Sequence, residues 1–173
     1  MRVMVTKSTT PDRAVGIKEV QVFDTGSQTQ ASGGVGGTVP ATLALTLGAP
    51  ASFGAFTPGV AHDYTASTTA DVVSTAGDAA LGVADPDTAH PGHLVNGAFV
   101  LPQPLQVRAR NSTYPDAAFA PLGATPLTLL SYPAPISHDA VTIDFTQSIG
   151  SSDALRTGAY AKTLVFTLST TTP

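Results

Sequence analysis

Cysteine and tryptophan are both missing from this 173-residue sequence. Without cysteine there is no disulfide framework and no thiol chemistry, although export is not excluded by that alone. Charge is scarce as well. Charged residues make up 12% of the chain, about half the usual share of roughly 25%, and the net charge is -4. The eight basic residues are spread thinly, and Arg108 with Arg110 is their only close pair in the folding part of the chain. Phosphate backbones are held by clustered Lys and Arg, so nucleic acid is not an expected partner. No run approaches the ~18 apolar residues of a membrane span. The start at Met1-Arg2 has no apolar signal-peptide core, and it reads as if cut from a longer chain.

Thr, Ser, Ala, Gly and Pro fill the space left by charge. Such a neutral, hydroxyl-rich surface suits a protein working among polysaccharides, and a secreted or cell-surface location is expected. Helical periodicity is missing, and 14 prolines and 16 glycines interrupt nearly every candidate segment. Period-two alternation is frequent instead. Leu43, Leu45 and Leu47 alternate with Ala44 and Thr46. Val141, Ile143 and Phe145 alternate with Thr142, Asp144 and Thr146. Leu164, Phe166 and Leu168 alternate with Val165 and Thr167. Each pattern predicts a half-buried strand. Further strands are predicted at Arg2–Thr6, Val15–Phe23, Tyr64–Ser74, Ala80–Ala84, Gly97–Leu101, Leu105–Ala109 and Leu127–Tyr132. The expected class is all-β, an immunoglobulin-like antiparallel β-sandwich.

One boundary stands out. Thr25–Gly37 (TGSQTQASGGVGG) has a single apolar residue larger than Ala, so it cannot offset its ordering entropy by burial. The chain is therefore expected to consist of a two-strand stub at 1–24, a flexible Gly-rich linker at 25–37 and a sandwich at 38–173. Two strands alone are marginal in water. The stub is expected to seek pairing through its edge strands.

The densest polar cluster is Asp85-Pro86-Asp87-Thr88-Ala89-His90-Pro91-Gly92-His93. Asp85, Asp87, His90 and His93 are candidate metal ligands, since two carboxylates and two imidazoles lie within nine residues. The alternative is a proline-stiffened loop whose Asp residues serve turn chemistry and whose histidines are solvated. Zinc needs three or four ligands in fixed geometry, and Asp-Pro-Asp lacks the spacing and the Gly of a calcium loop. No cofactor is expected. Catalytic patterns are thin: Glu19 is the one glutamate for a carboxylate pair, and no G-x-S-x-G elbow occurs. No catalytic residue is assigned. Phe53, Phe56, Phe99, Phe145 and Phe166 read as core. Tyr160 reads as a ring whose hydroxyl bonds back to the backbone before the last strand. Tyr114 and Tyr132, in Pro-flanked stretches, are the aromatic rings expected at the surface. With Arg108, Arg110, Asn111 and Asp116 they form the candidate ligand patch.

Two stretches resemble known families. Arg2–Asp24, with Ile17, Glu19, Val20, Val22 and Phe23 in an I-x-E-V-x-V-F close, resembles the last two strands of a discoidin-like (coagulation-factor type C) carbohydrate-binding domain. The resemblance implies such a neighbour and carries no ligand residue into this chain. The stretches Val39–Gly48, Phe53–Thr68, His93–Phe99 and Gln147–Pro173 resemble a C-terminal accessory module of secreted actinobacterial proteins, often glycoside-processing enzymes. Gly158, Tyr160, Leu164, Phe166 and Leu168 are similar to the closing strand of WxL cell-wall-binding domains, although the Trp-x-Leu signatures themselves are missing. These resemblances imply a non-catalytic spacer or stabilising module. The alternative is a module that binds a carbohydrate or cell-wall polymer, and an enzyme fragment is a remote third. The implied partners are a polysaccharide or wall polymer and other domains of the parent chain.

Overall fold

The computed structural model describes Gln30–Thr171. The stub strands Arg2–Thr6 and Val15–Phe23, with the first residues of the linker, lie outside the described residues. The chain divides into two units, Met1–Gly37 and Thr38–Pro173. In the first, Gln30–Gly37 is exposed coil. The second is all-β, with ten strands and no helix among the described residues.

The strands are β1 (Leu43–Leu47), β2 (His62–Ser74), β3 (Ala79–Ala84), β4 (Val95–Asn96), β5 (Phe99–Val100), β6 (Gln106–Arg110), β7 (Ala120–Pro121), β8 (Leu127–Tyr132), β9 (Ile136–Ile149) and β10 (Val165–Ser169). A five-stranded sheet runs β1-β2-β9-β6-β7, a three-stranded sheet β10-β3-β8, and β4 pairs with β5. Every pairing is antiparallel.

Alternation decides what each sheet buries. On β9, Val141, Ile143, Phe145, Gln147 and Ile149 turn inward, while Thr142, Asp144, Thr146 and Ser148 form the outer face. On β6, Val107 and Ala109 face inward and Arg108 and Arg110 outward. From the smaller sheet Leu81, Val83, Leu130 and Tyr132 join the same core, closed by Leu94, Leu101, Leu105 and Leu122 from the connections. Burying one such Leu or Ile side chain contributes about 1.5–3 kcal/mol before entropy is charged against it.

Three expectations about strands are corrected, and one strand was not expected. Gly97–Leu101 is not one strand: Gly97, at φ 60°, is the first residue of the two-residue hairpin loop between β4 and β5, a position that glycine occupies without strain. Phe99 is consequently at a hairpin tip and 47% exposed rather than core. Leu43 and Leu47 remain 43% and 45% exposed, because β1 is the edge of its sheet and only Leu45 reaches the core. β7, a two-residue strand at Ala120–Pro121, is too short to carry a period.

Candidate functional site

The Asp85–His93 loop leaves β3 and is tied from within. Asp85 accepts the backbone N–H groups of Asp87 (2.9 Å) and Gly92 (2.6 Å). Asp87 accepts those of Ala89 (2.9 Å) and His90 (3.3 Å). Both carboxylates converge on Lys162, which lies 3.0 Å from Asp85 Oδ2 and 2.7 Å from Asp87 Oδ2. Lys162 also donates to His90 O at 2.9 Å. The Lys162 side chain is 4% exposed and the Asp85 side chain 0%.

The electrostatics follow. Burial alone would raise the Asp85 pKa, but the two amides and the ammonium outweigh it and hold the carboxyl below its ordinary value. Lys162, followed by the amides of Ala89 and His90, brings Asp87 to about 2. Burial would lower the Lys162 pKa, and its bonds to Asp87 and Asp85 raise it instead. Of the four candidate metal ligands, the structure thus joins Asp85 and Asp87 around an ammonium. His93 turns away, its Nδ1 donating to Leu101 O at 2.7 Å. His90 Nδ1 stands 3.6 Å from Asp87. His93 is half-buried, which corrects the expectation of a solvated histidine there, while the His90 side chain remains 39% exposed. Among the described residues no group of three or more His, Cys, Asp or Glu is placed to hold a metal ion.

Sequence reasoning missed Lys162. The signal was there: Tyr160, Lys162, Leu164, Phe166 and Leu168 keep one phase of a period of two, so a lysine stands where an inward-facing residue belongs. A cation in that phase requires buried anions.

A second constellation lies on the outer face of the five-stranded sheet. Register sets Arg108 opposite Asp144. Arg108 Nε donates to Asp144 Oδ2 at 2.9 Å; Arg110 donates through Nε to Oδ2 at 2.6 Å and through Nη2 to Oδ1 at 3.2 Å. Burial would raise the Asp144 pKa, yet the two guanidiniums hold it down, and Asp144 in turn raises that of Arg110. Arg108 also donates to Ala117 O at 3.3 Å and lies 4.4 Å from the centre of the Phe119 ring.

These bonds mount the loop between β6 and β7. Asn111 Oδ1 accepts the amides of Thr113 (3.0 Å) and Tyr114 (2.8 Å), an Asx-type turn. Asn111 Nδ2 and the Tyr132 hydroxyl both donate to Asp139 Oδ2 at 2.8 Å. Tyr132 is therefore not a surface ring. It is 6% exposed, on the inward phase it shares with Leu130. Burial, then Asp139, push its phenol pKa up.

Tyr114, 49% exposed, and Asp116 remain at the surface. They line a cleft of about 510 Å³ whose opposite wall is Leu129–Ser131. The structure thus brings Tyr114 and Asp116 to one opening, with Arg108, Arg110 and Asn111 as its support and Tyr132 buried beside it. An exposed aromatic ring, a carboxylate and the hydroxyl side chains of Thr113 and Ser131 place a flat apolar face and hydrogen-bonding groups around one opening. Tyr160 and Tyr64 serve the fold: their hydroxyls accept the backbone N–H of Arg156 (2.9 Å) and Thr57 (2.7 Å). Compared with known protein families, curated proteins and solved structures, the chain matches none.

Proposed function

We propose that Thr38–Pro173 is a non-catalytic accessory module of a secreted carbohydrate-active protein, an immunoglobulin-like β-sandwich that acts as a stiff spacer. The observation supporting this most is the pairing of β2 with β9 from His62↔Ile149 to Ser74↔Ile136, with one register irregularity near Val72. Strands of 13 and 14 residues, at ~3.4 Å per residue, make a spine of roughly 45 Å. Three of the four cations among the described residues are spent on internal ties to aspartates. Length and stiffness are what a spacer requires. Dyes placed at the two ends of the spine, at His62 and Ser137, should report one narrow distance distribution in single-molecule energy transfer, unchanged by added polysaccharide. A broad or multi-peaked distribution would overturn the reading.

The Tyr114 cleft favours a second reading, a module that holds a polysaccharide or cell-wall polymer. The resemblances to discoidin-like and WxL-like modules point the same way. Shallow binding of this kind is tested by retention on insoluble polysaccharides and purified cell walls. Retention lost on Tyr114→Ala with stability unchanged supports it, and a folded protein retained on no polymer leaves the spacer alone.

A further inference from the structure

The two long irregular segments of the fold enclose a cleft that neither reading uses. One runs from Leu47 to Pro58 after β1, the other from Leu155 to Leu164 before β10, and the space between them measures about 910 Å³. Its lower wall is core: Leu94, Leu105 and Phe145 are all buried. Its sides carry Phe53, Phe56, Leu155, Tyr160, Leu164 and Phe166, each half-buried against that core. Phe53 and Phe56 stand 6.0 Å apart centre to centre, and the Phe56 ring meets Tyr64 edge-on at 4.8 Å, which fixes one side.

The charges at this cleft are unequal. The Lys162 ammonium is turned to Asp85 and Asp87 and is not available. Arg156 lines the opening and is exposed. Of the four cations among the described residues, Arg108, Arg110, Arg156 and Lys162, it alone has no carboxylate within ion-pair distance. Its guanidinium rests 5.2 Å from the centre of the exposed Phe99 ring. Its backbone is held at both ends: the amide donates to Tyr160 (2.9 Å), and the carbonyls of Arg156 and Thr157 accept from Asn96 Nδ2 at 3.4 and 3.2 Å. An apolar trough with one fixed, unpaired cation at its mouth matches a molecule with the opposite plan.

The geometry points to a binding site for a single-chain anionic amphiphile: an alkyl chain in the trough and a carboxylate at Arg156. A volume near 900 Å³ is in the range of small-molecule clefts, which are mostly apolar with a few placed polar groups. Charge complementarity selects the anion. This inference is independent of the Tyr114 cleft, which lies on another connection.

Titration calorimetry with saturated fatty acids of eight to fourteen carbons, kept below their micelle concentrations, tests it. Affinity should rise roughly tenfold for each two methylenes added. Arg156→Gln should weaken every acid several-fold and leave the alkanol of equal length unchanged. Ala51→Phe, which fills the wall, should abolish binding of both. Should that variant fail to fold by thermal melting, Thr157→Trp at the mouth serves the same purpose. The proposal is overturned if the folded protein binds no member of the series. It is equally overturned by affinity that ignores chain length, by an Arg156→Gln loss that the alkanol shares, or by binding to anionic vesicles without binding to monomeric acid.

Discussion

Replacing Lys162 with Met keeps the stem and removes the charge. Two carboxylates then lose their cation, and one of them, Asp85, has a side chain that is 0% exposed. Breaking a buried pair by deleting one partner costs about 3–5 kcal/mol, because the remaining charge is stranded. Asp85 keeps its amide donors from Asp87 and Gly92, and charge-assisted bonds of that kind contribute about 1.5–3 kcal/mol. The loss should therefore fall at the low end, about 3 kcal/mol. For a folding unit of this size that corresponds to a drop in Tm of roughly 10 °C. Domain stabilities are about 5–15 kcal/mol, so the variant should still fold. The pH dependence carries the stronger test. In the parent, the Asp85 pKa is depressed below 3.8; its contribution is present above that value and is lost as pH falls through the folded one. In Lys162→Met the Asp85 carboxyl loses its cation and its pKa moves upward from the parent's depressed position, so acid takes less stability from the variant than from the parent. Urea unfolding of both proteins at pH 7 and pH 3 should show the gap narrowing. A gap under about 1 kcal/mol at pH 7, or a gap that does not change with pH, would refute the buried-pair account.

Other perturbations follow from the same contacts. Gly92→Ala should cost more than about 3 kcal/mol in denaturant unfolding, because Gly92 sits at φ 79° and a Cβ there would collide with the Leu122 carbonyl. Asp144→Ala releases Arg108 and Arg110 from the outer face and should destabilise by about 1–3 kcal/mol; amide exchange should quicken first in the Asn111–Phe119 loop. Since Asp85, Asp87 and Asp144 all have depressed pKa values, Asp87 at about 2, their contributions leave stability flat from pH 8 to 5. Stability should then fall below pH 4 in a melting series, and a loss already complete at pH 5 would contradict these assignments.

Much of the strand plan could be read from alternation. β3 and β9 each keep one largely apolar phase, and that phase is the buried one, whereas β8 changes phase between Leu129 and Leu130. What alternation could not show is which strands are edges. Leu43-Ala44-Leu45-Thr46-Leu47 carries the same pattern as an inner strand, and its exposure depends on partners elsewhere in the chain. The site was harder still. Arg108, Arg110 and Asn111 were found as a cluster, but their partners Asp144 and Asp139 come from β9, brought alongside only by register. Tyr132 was misjudged from its proline neighbour, when its two-residue spacing from Leu130 was the better guide. Lys162 meets Asp87 across 75 positions, and no local pattern encodes that distance.

The strand pairings also fix when this fold can close. β3 receives β10 in the register Val165↔Ala84, and β2 receives β9 from His62↔Ile149. Partners so remote in sequence make for slow assembly, in the millisecond-to-second range common to two-layer β domains. A chain emerging from the ribosome in order presents β3 with one edge bare until β10 has been released, and the Lys162 tie cannot form before Lys162 itself emerges. Truncation within β10 should therefore yield a persistently incomplete, sticky intermediate, and stalling synthesis before β10 is a way to trap it.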